Sequence, residues 1–494
     1  MVLAAVPDRK RLEGILRDSL GTHFSTYKDG FCVEGTRRTS HADINHLVLT
    51  RKGHPRKRSA TAHFALKKFF PVIDSGDMRY SERHRPELLS TAEARFVRWL
   101  DRDVKIPSLK SETGNNKAYL GPQFYGHSVQ HLAVASRFIH GEVLYDKLAA
   151  SSGEEFGKCF LQGVRDVARL NGVINSPENQ FYSSPEEFEH EAARNEEEKK
   201  EALVANLSRM YYALHPEEFR ATEFSTELVV EHLKSKKSID LKSRVEELTQ
   251  KRANFNDPSR LQHRDCNGKN MIWTNNERYR NRFVDHETAG PDSGVEDIAS
   301  YCIVLAHGNN HVFNLEDFPY FRYVFHAYED AWRNLDLDLV EKLDGYHNGQ
   351  FVDQVGRIMT EREDNESTMA FFANAVNKTL TLSAAGARSY KNDSEEVNPG
   401  LVAVTDPIAV TDPSRWRGDI DELFTSIHSM IPIIQGCGDS AKGIADYFHT
   451  FGHLFNDLGY KISETQLTNI RDLKRRDSFG EAILRHRPER YLKE

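Results

Sequence analysis

The sequence predicts an α+β chain of two or more lobes, with strands first and helices afterwards. Three observations carry this. Residues 44–49 alternate apolar and polar, and residues 61–70 have the length and apolar content of a strand, whose side chains point to opposite faces with period two. Apolar residues then recur at helical spacing, at Leu88, Leu89, Ala92, Phe96 and Leu100, and again at Phe160, Leu161, Val164, Val167, Ala168 and Leu170. Finally, 494 residues with 39% hydrophobic content can bury a core large enough to divide.

The elements follow in order. Gly35, before the alternating stretch, is expected to turn the chain between two strands. The basic residues 51–58 fall where a second hairpin turn belongs and read as a solvated loop. Strand 61–70 comes next, then a helix beginning near Ser90 or Thr91. Residues 131–141 read as a strand running into a linker. Residues 185–251 are rich in Glu and Lys at helical spacing, as in Glu196-Glu197-Glu198-Lys199-Lys200-Glu201, and read as inserted charged helices. Residues 271–273 and 282–284 form a hairpin around the polar Thr274-Asn275-Asn276-Glu277. Helices are expected at 318–332, 351–358 and within 420–484, and a loop at 392–417 with two Asp-Pro turns. The divisions are an N-terminal lobe over 1–135, a C-terminal lobe over 136–385 containing the 185–251 insertion, and an extension over 386–494.

Composition excludes several classes. Five cysteines lie scattered with no C-x-x-C pair, which argues against a disulfide framework or a zinc ribbon and for a reduced, cytoplasmic setting. No run approaches the ~18 apolar residues needed to span a bilayer, and the N-terminus does not read as a secretory signal. A net charge of −8 gives no electrostatic case for nucleic acid.

The chemistry concentrates in His263-Arg264-Asp265-Cys266-Asn267-Gly268-Lys269-Asn270, followed by Val284-Asp285-His286-Glu287. Phosphoryl transfer asks a protein mainly to position the acceptor hydroxyl and to neutralise phosphate charge with Mg2+. Asp265 suits the first task, as a base for the hydroxyl. Asn270, five positions later, and Asp285 offer an amide oxygen and a carboxylate, and Mg2+ prefers such hard ligands. The hairpin would bring Asn270 and Asp285 together at the ends of its two strands.

This segment resembles the H-x-D-x-x-x-x-N catalytic loop of the aminoglycoside phosphotransferase and choline kinase superfamily, with His263, Asp265 and Asn270 matching letter for letter. Asp285-His286-Glu287 is similar to the superfamily's I-D-[FW]-E, with an acidic third position where protein kinases have Gly. One departure is Arg264, the protein-kinase spelling. The resemblance covers about residues 30 to 305 by motifs. It implies a two-lobed protein-kinase-like fold, with a small antiparallel-sheet N-lobe and a large, mainly helical C-lobe carrying a helical extension. It also implies that Asp297 is a structural partner of the catalytic loop.

That fold implies further ATP-binding residues. Ala65 and Lys67 share a strand face, which reproduces the V-A-I-K arrangement: the small residue leaves space for adenine and Lys67 reaches phosphate. Lys68 falls on the apolar face opposite. Glu93 is expected to fix Lys67 from the following helix, with Glu87 as its competitor. Phe138-Ile139-x-Gly141 followed by Leu144 looks like the superfamily's hinge, so Ser136 and Phe138 are expected to meet the nucleotide. No G-x-G-x-x-G is present; Ser40 lies in the expected phosphate turn.

Three readings follow. The first is an ATP- and Mg2+-dependent kinase acting on a small-molecule hydroxyl, with no nucleic-acid or membrane partner and a protein partner conceivable for the C-terminal extension. The second is a kinase-like protein that acts on a protein or serves as a regulatory binding module. The third is a metal-dependent hydrolase using His263, Asp265, Asp285 and His286, which leaves Lys67 and Glu93 unexplained and lacks a helical ligand spacing.

Overall fold

The computed structural model describes residues 9–21, 31–38, 42–50, 61–70, 85–105, 120–151, 153–215, 218–219, 224–253, 260–274, 281–294, 296–301 and 442–459. The expectations for 51–58, 318–332, 351–358 and 392–417 lie outside these residues, as does Ser40.

Helix α1 (Arg9–Leu20) precedes an antiparallel sheet of five strands, β1 (Phe31–Arg38), β2 (Ala42–Thr50), β3 (Thr61–Phe69), β4 (Phe124–Ser128) and β5 (Ala133–Arg137), ordered β1-β2-β3-β5-β4. Period-two alternation divides the sheet into two faces. Leu47, Leu49, Phe64, Leu66, Ala133 and Ala135 pack beneath Leu12, Ile15, Leu16 and Leu20 of α1. These four leucine and isoleucine positions follow helical spacing, a signal present in the sequence from which no helix was expected. Against the opposite face sits α2 (Pro86–Arg102), where Leu89 and Ala94 join Ala42, Phe69 and Val134.

Helix α2 differs from its expected form. It starts four residues before Ser90, at Pro86, whose fixed φ and absent N–H suit a first helical turn. Leu88 is 46% exposed rather than part of the buried stripe, which instead runs through Leu89, Glu93, Phe96, Val97 and Leu100. Gly35 is not in the turn between β1 and β2. It lies within β1, where the register against β2 shifts between Val33 and Gly35 and leaves Glu34 as the extra residue of a bulge.

After the sheet the chain becomes helical, with α3 (Leu144–Ala150), α4 (Gly153–Ile174), α5 (Pro185–Leu214), α6 (Thr226–Lys237) and α7 (Leu241–Ala253). The expected charged helices are therefore α5 to α7. Ser184 and Ser225 cap α5 and α6 by accepting from the amides of Glu187 and Leu228, which satisfies N–H groups without helical partners. The last described helix, α8 (Lys442–Asp457), docks on α7 through Lys251 Nζ to Thr450 Oγ1 at 2.7 Å and Arg244 to Asp457 at 3.2 Å.

Two small sheets frame the loops between these helices. Strand β6 (Glu142–Val143) pairs with β8 (Met271–Trp273), which pairs with β9 (Asn281–Phe283), so the expected hairpin forms with its second strand one residue earlier. Strand β7 (Arg260–Gln262) pairs with β10 (Gly290–Asp292). Gly141 is required where the linker meets β8, because a Cβ there would stand 2.2 Å from the Trp273 carbonyl oxygen.

Candidate active site

Lys67 stands on β3 facing α2, buried at 7% exposure. Its Nζ lies 3.3 Å from Glu93 Oε2 and also donates to Asp285 Oδ1 and Glu287 Oε2. Burial alone would pull the Lys67 ammonium down. The carboxylates of Asp285, Glu93 and Glu287 outweigh it and raise the group well above its ordinary value. Glu93 is raised as well, up to about 7, first through burial and then through the like charges of Asp285 and Glu287, which together exceed the pull of Lys67. Lys67 rises because three carboxylates crowd a single ammonium, whereas Glu93 rises chiefly because it is buried.

The loop between β7 and β8 supplies the second half. A 3-10 turn, Gly268–Asn270, places Asn270 so that its Nδ2 donates to Asp265 Oδ2 at 2.8 Å and to the Asp265 carbonyl at 2.9 Å. Asn267 Nδ2 donates to Asp265 Oδ1 at 3.0 Å. Both oxygens of Asp265 are thus oriented, and these bonds use the amide nitrogen of Asn270 and not its Oδ1. The Val284 amide donates to the Asn270 carbonyl at 2.9 Å, which sets Asp285 beside this loop.

Backbone strain marks the same two places. Arg264 and Asp285 each have φ +67°, a left-handed conformation uncommon outside glycine and one that clusters at functional sites. Buried Asp297 holds the first, accepting from the amides of His263 at 2.9 Å and Arg264 at 2.7 Å. Burial dominates over those two amides and raises Asp297 to about 7. This is the place that the resemblance implied for Asp297.

Arg264 is engaged internally: its Nε reaches Asp292 Oδ2 at 3.1 Å and its Nη1 the Thr288 carbonyl at 3.4 Å. Asp292 is fully buried and also accepts from Lys199 of α5. Burial would raise Asp292, but Lys199, Arg264 and Arg252 hold it below the usual carboxylate range. A stack then ties α2 to the loop. His286 lies against Phe96 at 5.0 Å and 28°, and its ring is 4.7 Å from that of His263. His263 Nε2 donates to the Val284 carbonyl at 3.1 Å, and burial lowers both imidazoles, His286 far more.

A five-stranded antiparallel sheet, a β3 lysine paired with a helix glutamate, and an H-R-D-x-x-x-x-N loop beside a second aspartate form one connected arrangement. The fold is protein-kinase-like. No family model matches the chain, and no curated protein matches it. Solved structures do. A choline kinase from Cryptosporidium parvum Iowa II is 14% identical at a TM-score of 0.45, over 88% of this chain and 99% of that one. A Plasmodium vivax ethanolamine kinase is 13% identical at 0.40, over 83% and 92%. An aminoglycoside phosphotransferase from Alicyclobacillus acidocaldarius is 10% identical at 0.35, over 88% and 99%. At these scores the kinase-like reading rests on the connected arrangement of this chain itself.

Of the expected residues, Lys67, Glu93 and Asp285 meet in one cluster, and Asp265 and Asn270 meet in the adjoining loop. Glu87 is exposed in the first turn of α2, and Lys68 faces away from Lys67 along β3. Ser136 and Phe138 do not join that cluster. Ser136 pairs with Ala65, the residue expected beside adenine, while the Phe138 amide donates to the His63 carbonyl at 3.1 Å. That amide is spent within the protein. The Phe138 ring stacks on His46 at 3.6 Å and 8°. Two site features went unread in the sequence. Glu287 shares Lys67, a role its i+2 position from Asp285 could have suggested. Asp292 draws Arg264 and Lys199 together across sequence separations that no local pattern encodes.

Proposed function

We propose that the protein is an ATP- and Mg2+-dependent phosphotransferase that moves the γ-phosphoryl group to a hydroxyl of a small molecule. The observation that carries this is the convergence of Glu93, Asp285 and Glu287 on Lys67 next to the oriented Asp265. The ligand oxygens of the three acids lie within 4.8 Å of one another. One ammonium does not balance three carboxylates, so the donor set fits a divalent cation with hard-oxygen preference. Asp285 and Asn270 would hold Mg2+, which when bound neutralises phosphate charge.

The chain's own residues account for the rest. Lys67, fixed by Glu93, turns its ammonium to the α- and β-phosphates of ATP. Asn267 and Asn270 hold the Asp265 carboxylate toward the acceptor. Asp265 accepts the hydroxyl proton as that oxygen bonds to the γ-phosphorus, the bond from phosphorus to the β–γ bridging oxygen breaks, and ADP departs. The second reading, action on a protein, gains least from Arg264. Its guanidinium is committed to Asp292 and Thr288, rather than presented to a phosphorylated loop.

The test is transfer of labelled γ-phosphate from ATP to a panel of amino alcohols, aminoglycosides and sugars, with a protein mixture as comparison. Labelled small-molecule product that disappears in Asp265→Asn supports the proposal. Label that appears on protein alone, or survives in Asp265→Asn, contradicts it.

A further inference from the structure

We propose that His46, His63 and His140 form a binding site for a divalent transition-metal ion of the zinc class, on the same sheet face as Lys67 but separate from its carboxylates. His63, Ala65 and Lys67 alternate along β3 and so share that face, and His46 of β2 is registered against Ala65. His140 arrives from the linker after β5, the segment that Gly141 pins against Trp273. Three histidines far apart in sequence thus converge through strand register and one loop.

The geometry suits ligation. One ring nitrogen from each histidine lies within 4.8 Å of the others. His46 Nε2 and His63 Nδ1 are 3.0 Å apart. Tetrahedral zinc with Zn–N bonds of about 2.0–2.1 Å separates its nitrogens by about 3.4 Å, so the His46–His63 pair needs a shift of a few tenths of an ångström, and His140 closes on it by side-chain rotation. The His140 ring stands nearly perpendicular to both partners, at 77° to His63 and 78° to His46.

A supporting shell is also present. His46 Nδ1 lies 3.4 Å from Glu34 Oε2, the carboxylate–histidine pairing that fixes a tautomer and leaves the other nitrogen to the metal. Phe138 stacked on His46 holds the plane of that ring. Imidazole favours zinc, copper or nickel, whereas Mg2+ takes oxygen ligands, so the two clusters select different ions. Three nitrogen ligands leave a fourth position for water or another donor.

The experiment is calorimetric titration of Zn2+ alone into the full chain, without nucleotide, followed by the absorption spectrum of the Co2+ form. One equivalent should bind, with affinity lowered at least about tenfold in His63→Ala and His140→Gln, and by about 10- to 100-fold in Glu34→Gln. Co2+ should show ligand-field bands of nitrogen coordination. His140 is exposed, so its replacement leaves the core intact. Unchanged affinity in His140→Gln overturns the proposal, as do thiolate-to-cobalt charge transfer or Zn2+ binding lost only in Asp285→Ala. Because nucleotide is absent, failure here leaves the phosphotransferase reading untouched.

Discussion

Asp265 and Asp285 are expected to fail in different ways when replaced. Asp265→Asn removes a proton acceptor and should lower kcat by about 10²- to 10⁴-fold with nucleotide affinity nearly unchanged, as steady-state kinetics beside a binding titration would show. Lys67→Met instead strips the one ammonium from three clustered acids. Leaving buried charge without its partner costs about 3–5 kcal/mol, measured by urea denaturation at neutral pH. Glu93 adds a pH dependence. Its folded-state value, about 7 against an ordinary 4.5, means that the folded protein holds this proton more tightly than the unfolded chain. Its stabilising contribution is complete below about pH 4.5 and is lost as pH rises to about 7. Denaturation curves across that window should therefore slope less steeply for Glu93→Gln than for the wild type. Asp297, raised to about 7 by burial, supplies part of the remaining slope.

At the scale of elements, legibility followed the reach of the signal. Strand β3 and the shared face of Ala65 and Lys67 were readable because period-two alternation is local, and the hairpin was placed to within one residue by its polar turn. Helix α2 was recognised from its stripe but started late, since Pro86 was not weighed as an N-terminal signal. Helix α1 went unread although Leu12, Ile15, Leu16 and Leu20 carry the spacing. The bulge beside Gly35 depends on which residue of β2 lies opposite, and that register belongs to the sheet rather than to the segment. The histidine trio and the Lys199–Asp292–Arg264 contact are similarly products of tertiary pairing. Gly141 tests the linker between the strands and helices. Gly141→Ala drives a Cβ into the Trp273 carbonyl and should destabilise the fold by about 1–3 kcal/mol, read as a lower urea midpoint at unchanged slope.

For the whole molecule, the sheet, α2 and the loop carrying Asp265 build one connected site, and under the proposed function its excess of carboxylate charge would be matched by a divalent cation. The four sequence-marked residues Lys67, Glu93, Asp265 and Asp285 come from three separate regions, and the Phe96–His286–His263 stack joins them through the interior. Magnesium with ATP should therefore stabilise the chain as a unit, raising its Tm most at alkaline pH, where Glu93 is ionised. The direct measurement is calorimetric titration of ATP into the full chain with and without Mg2+, repeated on Asp285→Ala. ATP binding that requires Mg2+ and vanishes in Asp285→Ala is the expected result; equal binding in both proteins, or none in either, would contradict the account.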